Sequence, residues 1–457
     1  MNKPQTAKRI TATIFILLMV CLSSIPVFAT TPTVLQCDLN GDKIINTSDL
    51  IDISNHMGAT GTPGWIKEDV DKNGIIQVAD LMFVANHYGE SLSTSGGTTS
   101  GGTTNGVGRI QKLSVSYSDA MADTTNQKFI ASHFDMVDCP STDTTEAANV
   151  KALNSNIKIL GYFDSIMASK TFSDWSTVNG HEDWFAHSLS GGRIERVVYP
   201  GEYLVNPNSG WSNYFAQRCK TFLTTYPQFD GVFLDDAATD LVGFDYTFKV
   251  SYSQFATGVV SNWESWMISY MSNIKSTVGS DIVMANCYTG TVLAEKTKCM
   301  LWENFMHGRS SSYSSNGYSI SDGLQAINSL HDQATKGNII ATNSGCSGGT
   351  TAQKQTWAKF CYACLAFAVV DVSKAYFSWE FFNTDTNHGY TSEMDMNLGQ
   401  PVGDYYKVSG TTQVYARQFA NYYVAANLNV LGTGTVTFTL NGASYTLSPR
   451  TAVFIPK

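Results

Sequence analysis

The sequence predicts an α/β protein: a (β/α)8 barrel, a small antiparallel β-domain after it, and a paired loop-and-helix module before it. Three observations carry this. Eight strand-like runs alternate with helical patterns between residues 107 and 404. From 405 to 457 the pattern changes to short β-rich runs split by Asn, Gly and Pro. Within 35–90 one polar pattern occurs twice, 31 residues apart from Asp38 to Asp69.

Taken in order, residues 1–29 have the features of a secretory signal peptide. Lys3, Lys8 and Arg9 precede an apolar run, Ile14 to Leu22, too short to span a bilayer, and Val27-Phe28-Ala29 offers a small-residue cleavage site. The expected location is secreted and extracellular, at a cell surface or on a scaffold. No later apolar stretch is long enough for a membrane span. The 457 residues are 43% hydrophobic, 12% aromatic and only 15% charged, which predicts two or three domains with a large core and argues against disorder. Loss of the three basic leader residues takes the net charge from −9 to −12, which disfavours nucleic acid or an anionic membrane as partner. Cys21 leaves with the leader, so eight of the nine cysteines remain. Cys361 and Cys364 stand at a Cys-x-x-Cys spacing, but inside the apolar helix-like run Trp357–Val370. Buried thiols or one disulfide suit that setting better than a metal or redox site.

In the repeat, oxygen-bearing side chains recur at loop positions 1, 3, 5, 9 and 12, with a backbone carbonyl at 7. The first copy offers Asp38, Asn40, Asp42, Ile44, Asn46 and Asp49; the second offers Asp69, Asp71, Asn73, Ile75, Gln77 and Asp80. This is the ligand spacing of an EF-hand calcium loop and implies two Ca2+ ions. Amphipathic segments follow, Leu50–Met57 and Leu81–Tyr88, each closed by Gly as a helix stop. Residues 35–90 resemble a dockerin, and the resemblance implies a cohesin-type scaffold protein as partner. Lys43 stands at position 6 of the first loop where Gly would ease the turn, and both twelfth positions are Asp rather than Glu. Thr47-Ser48 and Val78-Ala79 differ at the matching partner-facing positions, which argues against two equivalent docking modes. An orphan module that binds only calcium is the alternative. Residues 91–106 are Ser, Thr and Gly apart from Leu92 and Asn105, a flexible tether.

The barrel runs are Lys112–Ser118, His133–Cys139, Ile157–Asp164, Gly231–Asp236, Asp281–Tyr288, Cys299–Asn304, Asn338–Asn343 and Lys374–Glu380. Trp211–Tyr226, Trp263–Ile274 and Trp357–Val370 show the helical period. A doubly wound sheet has the same periodicity, but no glycine-rich strand-to-helix phosphate motif is visible. The β-domain takes Thr412–Phe419, Tyr422–Asn427, Thr435–Leu440, Ala443–Leu447 and Thr451–Ile455.

The most informative run is Phe229-Asp-Gly-Val-Phe-Leu-Asp-Asp236. Its Gly231 to Leu234 portion suits a strand covered on both faces, and it ends in two acids where barrels keep their chemistry. The plainer role for one of these acids is to cap the next helix. Other predicted strand ends bring Asp135 and Asp138, Asp164, Asn286, Trp302 and Glu303, and Trp379 and Glu380. Glycosidic cleavage needs two carboxyl groups across the bond, and sugars take flat aromatic faces and amide or acid partners. No Gly-x-Ser-x-Gly elbow or His-Glu-x-x-His stands at a strand end. His307 is a further candidate, although a lone His is more often structural.

The stretch from Trp184 through Asn206-Pro207-Asn208 and Trp211 to Asp236, with Val414–Phe419 after the barrel, resembles the glycoside-hydrolase-like barrel family related to endo-α-1,4-polygalactosaminidases and α-galactosidases. The resemblance implies Asp235 as nucleophile and Glu303 as proton donor, with Glu380 and Asp164 as rivals to Glu303. Asp236 becomes a binder or cap. Asp164, Asp236, Asn286, Trp302, Trp379 and Glu380 are the expected substrate contacts, the two tryptophans as sugar platforms, and Glu202 a loop residue near the site. The barrel is expected to need no cofactor. The implied substrate is a polysaccharide or oligosaccharide, with an α-linkage as one candidate. The competing reading is a non-catalytic carbohydrate-binding or surface protein on a barrel scaffold. The discriminator is whether a second carboxylate faces Asp235 across an open cleft.

Overall fold

The computed structural model describes residues 34–40, 45, 47–86, 108–115, 121–241, 247–287, 290–307, 318–346, 348–379, 390–430 and 432–457. The chain divides into two compact units, Met1–Gly101 and Gly102–Lys457.

In the first unit, helices α1 (Thr47–His56) and α2 (Val78–Asn86) close over a small core of Cys37, Leu39, Ile45, Ile53, Val70, Ile76 and Val84. Each helix follows one of the two repeated polar loops. Gly74, at the sixth position of the second loop, has φ +88°, and a Cβ there would sit 2.7 Å from the Gly61 carbonyl oxygen. Only glycine fits that turn without strain.

The second unit is built on a closed barrel of eight parallel strands: β1 (Gln111–Val115), β2 (Met136–Pro140), β3 (Lys158–Asp164), β6 (Gly231–Asp235), β7 (Ile282–Asn286), β8 (Lys298–Glu303), β9 (Ile339–Ser344) and β10 (Ala375–Trp379). Between β3 and β6 the chain makes an excursion with its own hairpin, β4 (Met167–Ser169) paired to β5 (Glu202–Leu204). The helices are α3 (Thr124–His133), α4 (Thr144–Leu153), α5 (Trp175–Asn179), α6 (Gly210–Thr225), α7 (Thr257–Val278), α8 (Ala294–Thr297), α9 (Ile320–Thr335) and α10 (Thr351–Ala368). Several of their starts follow from side-chain capping. Ser209 accepts from the Trp211 N–H, Ser319 from Asp322, and Thr350 forms a reciprocal box with Gln353.

The pleat separates two cores. Leu113, Val115, Met136, Leu160, Phe233, Met284, Leu301, Ala341 and Tyr376 fill the lumen. Their strand neighbours, Val137, Ile159, Val232, Leu234, Val283 and Met300, face the helices. This explains the unbroken apolar run at β6, which is covered on both sides. Each predicted barrel strand overlaps an observed one. The fourth ends one residue early, at Asp235, because Asp236 has φ +55° and turns the chain out of the sheet. The last three residues predicted for the first strand, 116–118, lie outside the described residues.

After the barrel come β11 (Tyr406–Lys407), β12 (Val414–Gln418), β13 (Tyr422–Asn427) and β16 (Ala452–Pro456) in one antiparallel sheet, and the hairpin β14 (Val436–Leu440) with β15 (Ala443–Leu447). Arg417 ties this domain to the barrel. Its buried guanidinium donates to the carbonyls of Ala366, Phe367 and Val369 at the C-terminus of α10 and to Gly403. Cys361 and Cys364 are buried free thiols in α10, and burial pushes Cys361 up to about 12. Among the described residues no helix is long and apolar enough to cross a membrane.

Candidate active site

The polar group of the lumen gathers at the carboxyl ends of the strands. Asp235 is the last residue of β6, Asn286 of β7 and Glu303 of β8. The Asn286 Nδ2 donates to Asp235 Oδ1 at 2.8 Å and to Glu303 Oε2 at 2.7 Å. Two oxygens held by one nitrogen lie no farther apart than the sum of those lengths, 5.5 Å. Tyr162, from β3, donates its hydroxyl to Asp235 Oδ2 at 2.7 Å, and the Asp236 N–H donates to Oδ1 at 3.0 Å. Asp235 thus accepts three hydrogen bonds, which fix its orientation. Burial and then the Asp235 charge raise the Tyr162 hydroxyl far above the usual range, so it stays a donor. The backbone beneath is held too. Ser165 donates its N–H and hydroxyl to the Asp235 carbonyl, Tyr270 donates to the Ser165 carbonyl, and Trp211 donates to Tyr270.

Beside this pair lies a second cluster. Arg196, from the excursion between β4 and β5, reaches Asp164 at 3.0 Å, Glu202 at 3.2 Å and Asp236. Asp164 also accepts the Ile166 and Met167 N–H groups through Oδ1. One guanidinium among three carboxylates leaves excess negative charge. Burial, opposed by Arg196 and assisted by Asp235, pushes Asp164 up to about 6. Burial and repulsion from Asp235 and Asp164 raise Asp236 well above the usual carboxylate range, against the pull of Arg196. Among the described residues, neither Asp235 nor Asp236 caps a helix, and the next described α-helix, α7, starts after Ala256 with no side-chain cap.

The structure therefore brings Asp235, Glu303 and Asn286 together, with Asp164, Asp236 and Glu202 alongside. It does not bring Trp302 or Trp379 into the group. They alternate with the lumen-facing residues and pack in the outer core, 8% and 4% exposed, so the expectation of sugar platforms there does not match their placement. Asp135 is likewise misplaced by the sequence reading. It precedes β2 at the opposite mouth and is held by Arg109 at 2.6 and 2.8 Å. His307 is buried against Trp357, with Nδ1 bonded to the Gly345 carbonyl, a packing role. Glu380 lies outside the described residues. Sequence reasoning missed Arg196. It sits in an excursion without periodic pattern, and only the surplus of acids at the strand ends hinted that a cation was needed.

In the first unit, Asp69, Asp71 and Asp80 are buried, and each offers one carboxylate oxygen within 4.8 Å of the others. Asp69 accepts the Gly64, Asn73 and Gly74 N–H groups, and Asp80 accepts those of Asp71 and Gln77. Asn73 and Gln77 belong to the same loop. Asp71 is raised by burial and by repulsion from Asp80 and Asp69. Three converging buried acids fit a hard divalent cation. In the first loop, Asp49 accepts the Leu39 and Asn40 N–H groups, while Asp42, Ile44 and Asn46 lie outside the described residues.

The model of the family described as hypothetical glycosyl hydrolase family 15 matches residues 151–422. No curated protein matches the chain. Among solved structures, the chain is similar to the glycoside hydrolase domain of PelA from Pseudomonas aeruginosa, at 10% identity and TM-score 0.41, covering 62% of this chain and 97% of that one. It is similar to Aspergillus fumigatus Ega3 in complex with galactosamine, at 12% identity and TM-score 0.38, covering 64% and 98%. A third is the noncanonic maltogenic α-amylase AmyB from Thermotoga neapolitana, at 10% identity and TM-score 0.46, covering 76% and 96%.

Proposed function

Because this chain belongs to hypothetical glycosyl hydrolase family 15, we propose that it is a secreted glycoside hydrolase cleaving O-glycosidic bonds of a polysaccharide or oligosaccharide. The observation that carries the proposal is Asn286, whose amide nitrogen joins the Asp235 and Glu303 carboxylates. The binding-only alternative predicts no second carboxylate beside Asp235, and Glu303 stands there. A separation of about 5–5.5 Å is that of retaining enzymes, whereas inverting ones need about 6.5–9.5 Å to admit water. In this reading Asp235 attacks the anomeric carbon and forms a glycosyl ester, while Glu303 gives a proton to the leaving oxygen. Glu303 then takes a proton from water as that water displaces Asp235. Asn286 and Tyr162 hold Asp235 for in-line attack. Asp164, Asp236 and Arg196 line the adjoining rim as candidate contacts for sugar hydroxyls.

The N-terminal module is proposed as a dockerin-like attachment device that holds Ca2+ through Asp69, Asp71, Asn73, Ile75, Gln77 and Asp80, with the first loop as its counterpart. Bound calcium would neutralise the three converging acids and fix the second loop to α2. The partner in this reading is a cohesin-type scaffold protein. Incubation with a glycan panel, read by mass spectrometry of released products, tests the enzymatic reading. Cleavage by wild type and its loss in Asp235→Asn and Glu303→Gln is expected; undiminished cleavage by both variants overturns the assignment.

A further inference from the structure

Asp138 lies on β2, where Val137 and Cys139 pack outward and Met136 faces the lumen. By the pleat Asp138 shares the lumen face with Met136. Its side chain is wholly enclosed, and neither carboxyl oxygen has a hydrogen-bond partner among the described residues. Buried polar groups are almost always satisfied, so an acid orphaned at both oxygens calls for an explanation. Among the described residues, lumen-facing β1 brings Leu113 and Val115 near it. Among the described residues, the titratable groups of the upper lumen are Tyr162 and Asp164 on β3, Asp235 on β6 and Glu303 on β8, with Cys299 and Tyr376 deeper. Among the described residues, the one cation at a lumen-facing strand position is Lys158. It stands at the other end of β3, paired with Asp230 at 3.0 Å.

A carboxylate in that setting would have shed its water with no donor and no cation in exchange. Asp235, which shares the lumen, accepts three donors. Two acids placed so differently divide their protons unequally. We propose that Asp138 is a positioning residue: a carboxylic acid that keeps its proton at neutral pH and so leaves the negative charge of this part of the lumen to Asp235. The functional half of this inference rests on the reading of Asp235 as the charged member of the catalytic pair. Burial and the Asp235 charge push Asp138 in the same upward direction.

The test uses the full chain and Asp138→Asn, which keeps shape and cannot ionise. At neutral pH the infrared difference between the two should contain the carbonyl stretch of a protonated acid; carboxylate bands alone would overturn the proposal. Because the native state holds this proton more tightly than the unfolded chain does, its contribution is full in acid. It is lost as pH rises above the unfolded aspartate value of about 4. Wild-type stability to denaturant should therefore fall against the variant by about tenfold in folding constant per pH unit over that window. Parallel curves refute it. If the variant does not fold, 13C-aspartate spectra of wild type and Asp236→Asn decide: a protonated-acid carboxyl frequency should persist through neutral pH in both, and its loss in Asp236→Asn would overturn the proposal. On a cleaved glycan, Asp138→Asn should leave the acid limb of kcat/KM where it is. A shifted acid limb instead would mean that Asp138 is charged. The infrared result stands even if no glycan is cleaved, so failure of the enzymatic reading is separable.

Discussion

Replacing Asn286 by Ala removes a side chain that donates to both Asp235 and Glu303. Two acids with oxygens no more than 5.5 Å apart then face each other without that donor. Unit charges at that distance repel by about 3 kcal/mol at an effective dielectric constant of 20. That repulsion is present in wild type as well; what the variant adds is the loss of two hydrogen bonds to charged groups, about 1.5–3 kcal/mol each. Water entering at the half-exposed mouth returns part of this, so the net penalty on double ionisation is about 1.5–3 kcal/mol, or about one to two pH units. The sign follows directly. With its charged form disfavoured, the pair holds a proton to higher pH, and the nucleophile forms later in a titration. The assay is kcat/KM against pH on a cleaved oligosaccharide, where the acid limb of Asn286→Ala should move up by about one to two units. Asn286→Asp should move it at least as far, because it adds a third acid. If the limb stays in place in both variants while only the maximum rate falls, Asn286 does not couple the two carboxyls and the reasoning fails.

Tyr162→Phe deletes one donor to Asp235 and should lower kcat/KM by about ten- to a hundredfold without unfolding, as about 1.5–3 kcal/mol for one hydrogen bond to a charged group implies; circular dichroism and kinetics check both halves. Arg196→Met strands three acids and should cost about 3–5 kcal/mol in denaturant titration. Arg196→Lys should recover little of it, since a point charge cannot span Asp164, Glu202 and Asp236. Arg417→Leu leaves the carbonyls at the end of α10 without their donor and should lower stability by about 2–4 kcal/mol, most visibly as early melting of the C-terminal sheet in hydrogen exchange. For the N-terminal module, calcium at a thousandfold above its Kd should add about 4 kcal/mol, seen by calorimetry with and without chelator. Asp80→Ala should abolish the part due to the second loop.

The barrel was legible because hydrophobic burial writes its periods into local sequence. A strand with a helix on one side and the lumen on the other must be apolar at successive positions, and Gly231–Leu234 is. The break at Asp235-Asp236 marked the mouth because acids rarely follow such a run without a solvent-facing reason. The pairing of Asp235 with Glu303 was suggested by family resemblance, and their closeness in space rests on Asn286. What stayed hidden depends on parity and on distant contacts. Trp302 and Glu303 are neighbours in sequence, yet the pleat sends one to the helices and the other to the lumen. Asp135 and Asp138 are three residues apart, yet Asp135 lies before β2, held by Arg109, and Asp138 lies within it on the lumen face. Arg196 comes from an excursion whose partners are set by long-range charge, which no local window contains.

The most direct test of the two-carboxylate account is the stereochemistry of the first-formed product, followed by proton NMR during wild-type hydrolysis and paired with mass spectrometry of slow-substrate complexes. The account predicts net retention of anomeric configuration and a glycosyl ester on Asp235. Inversion, or a covalent adduct on another residue, would contradict it.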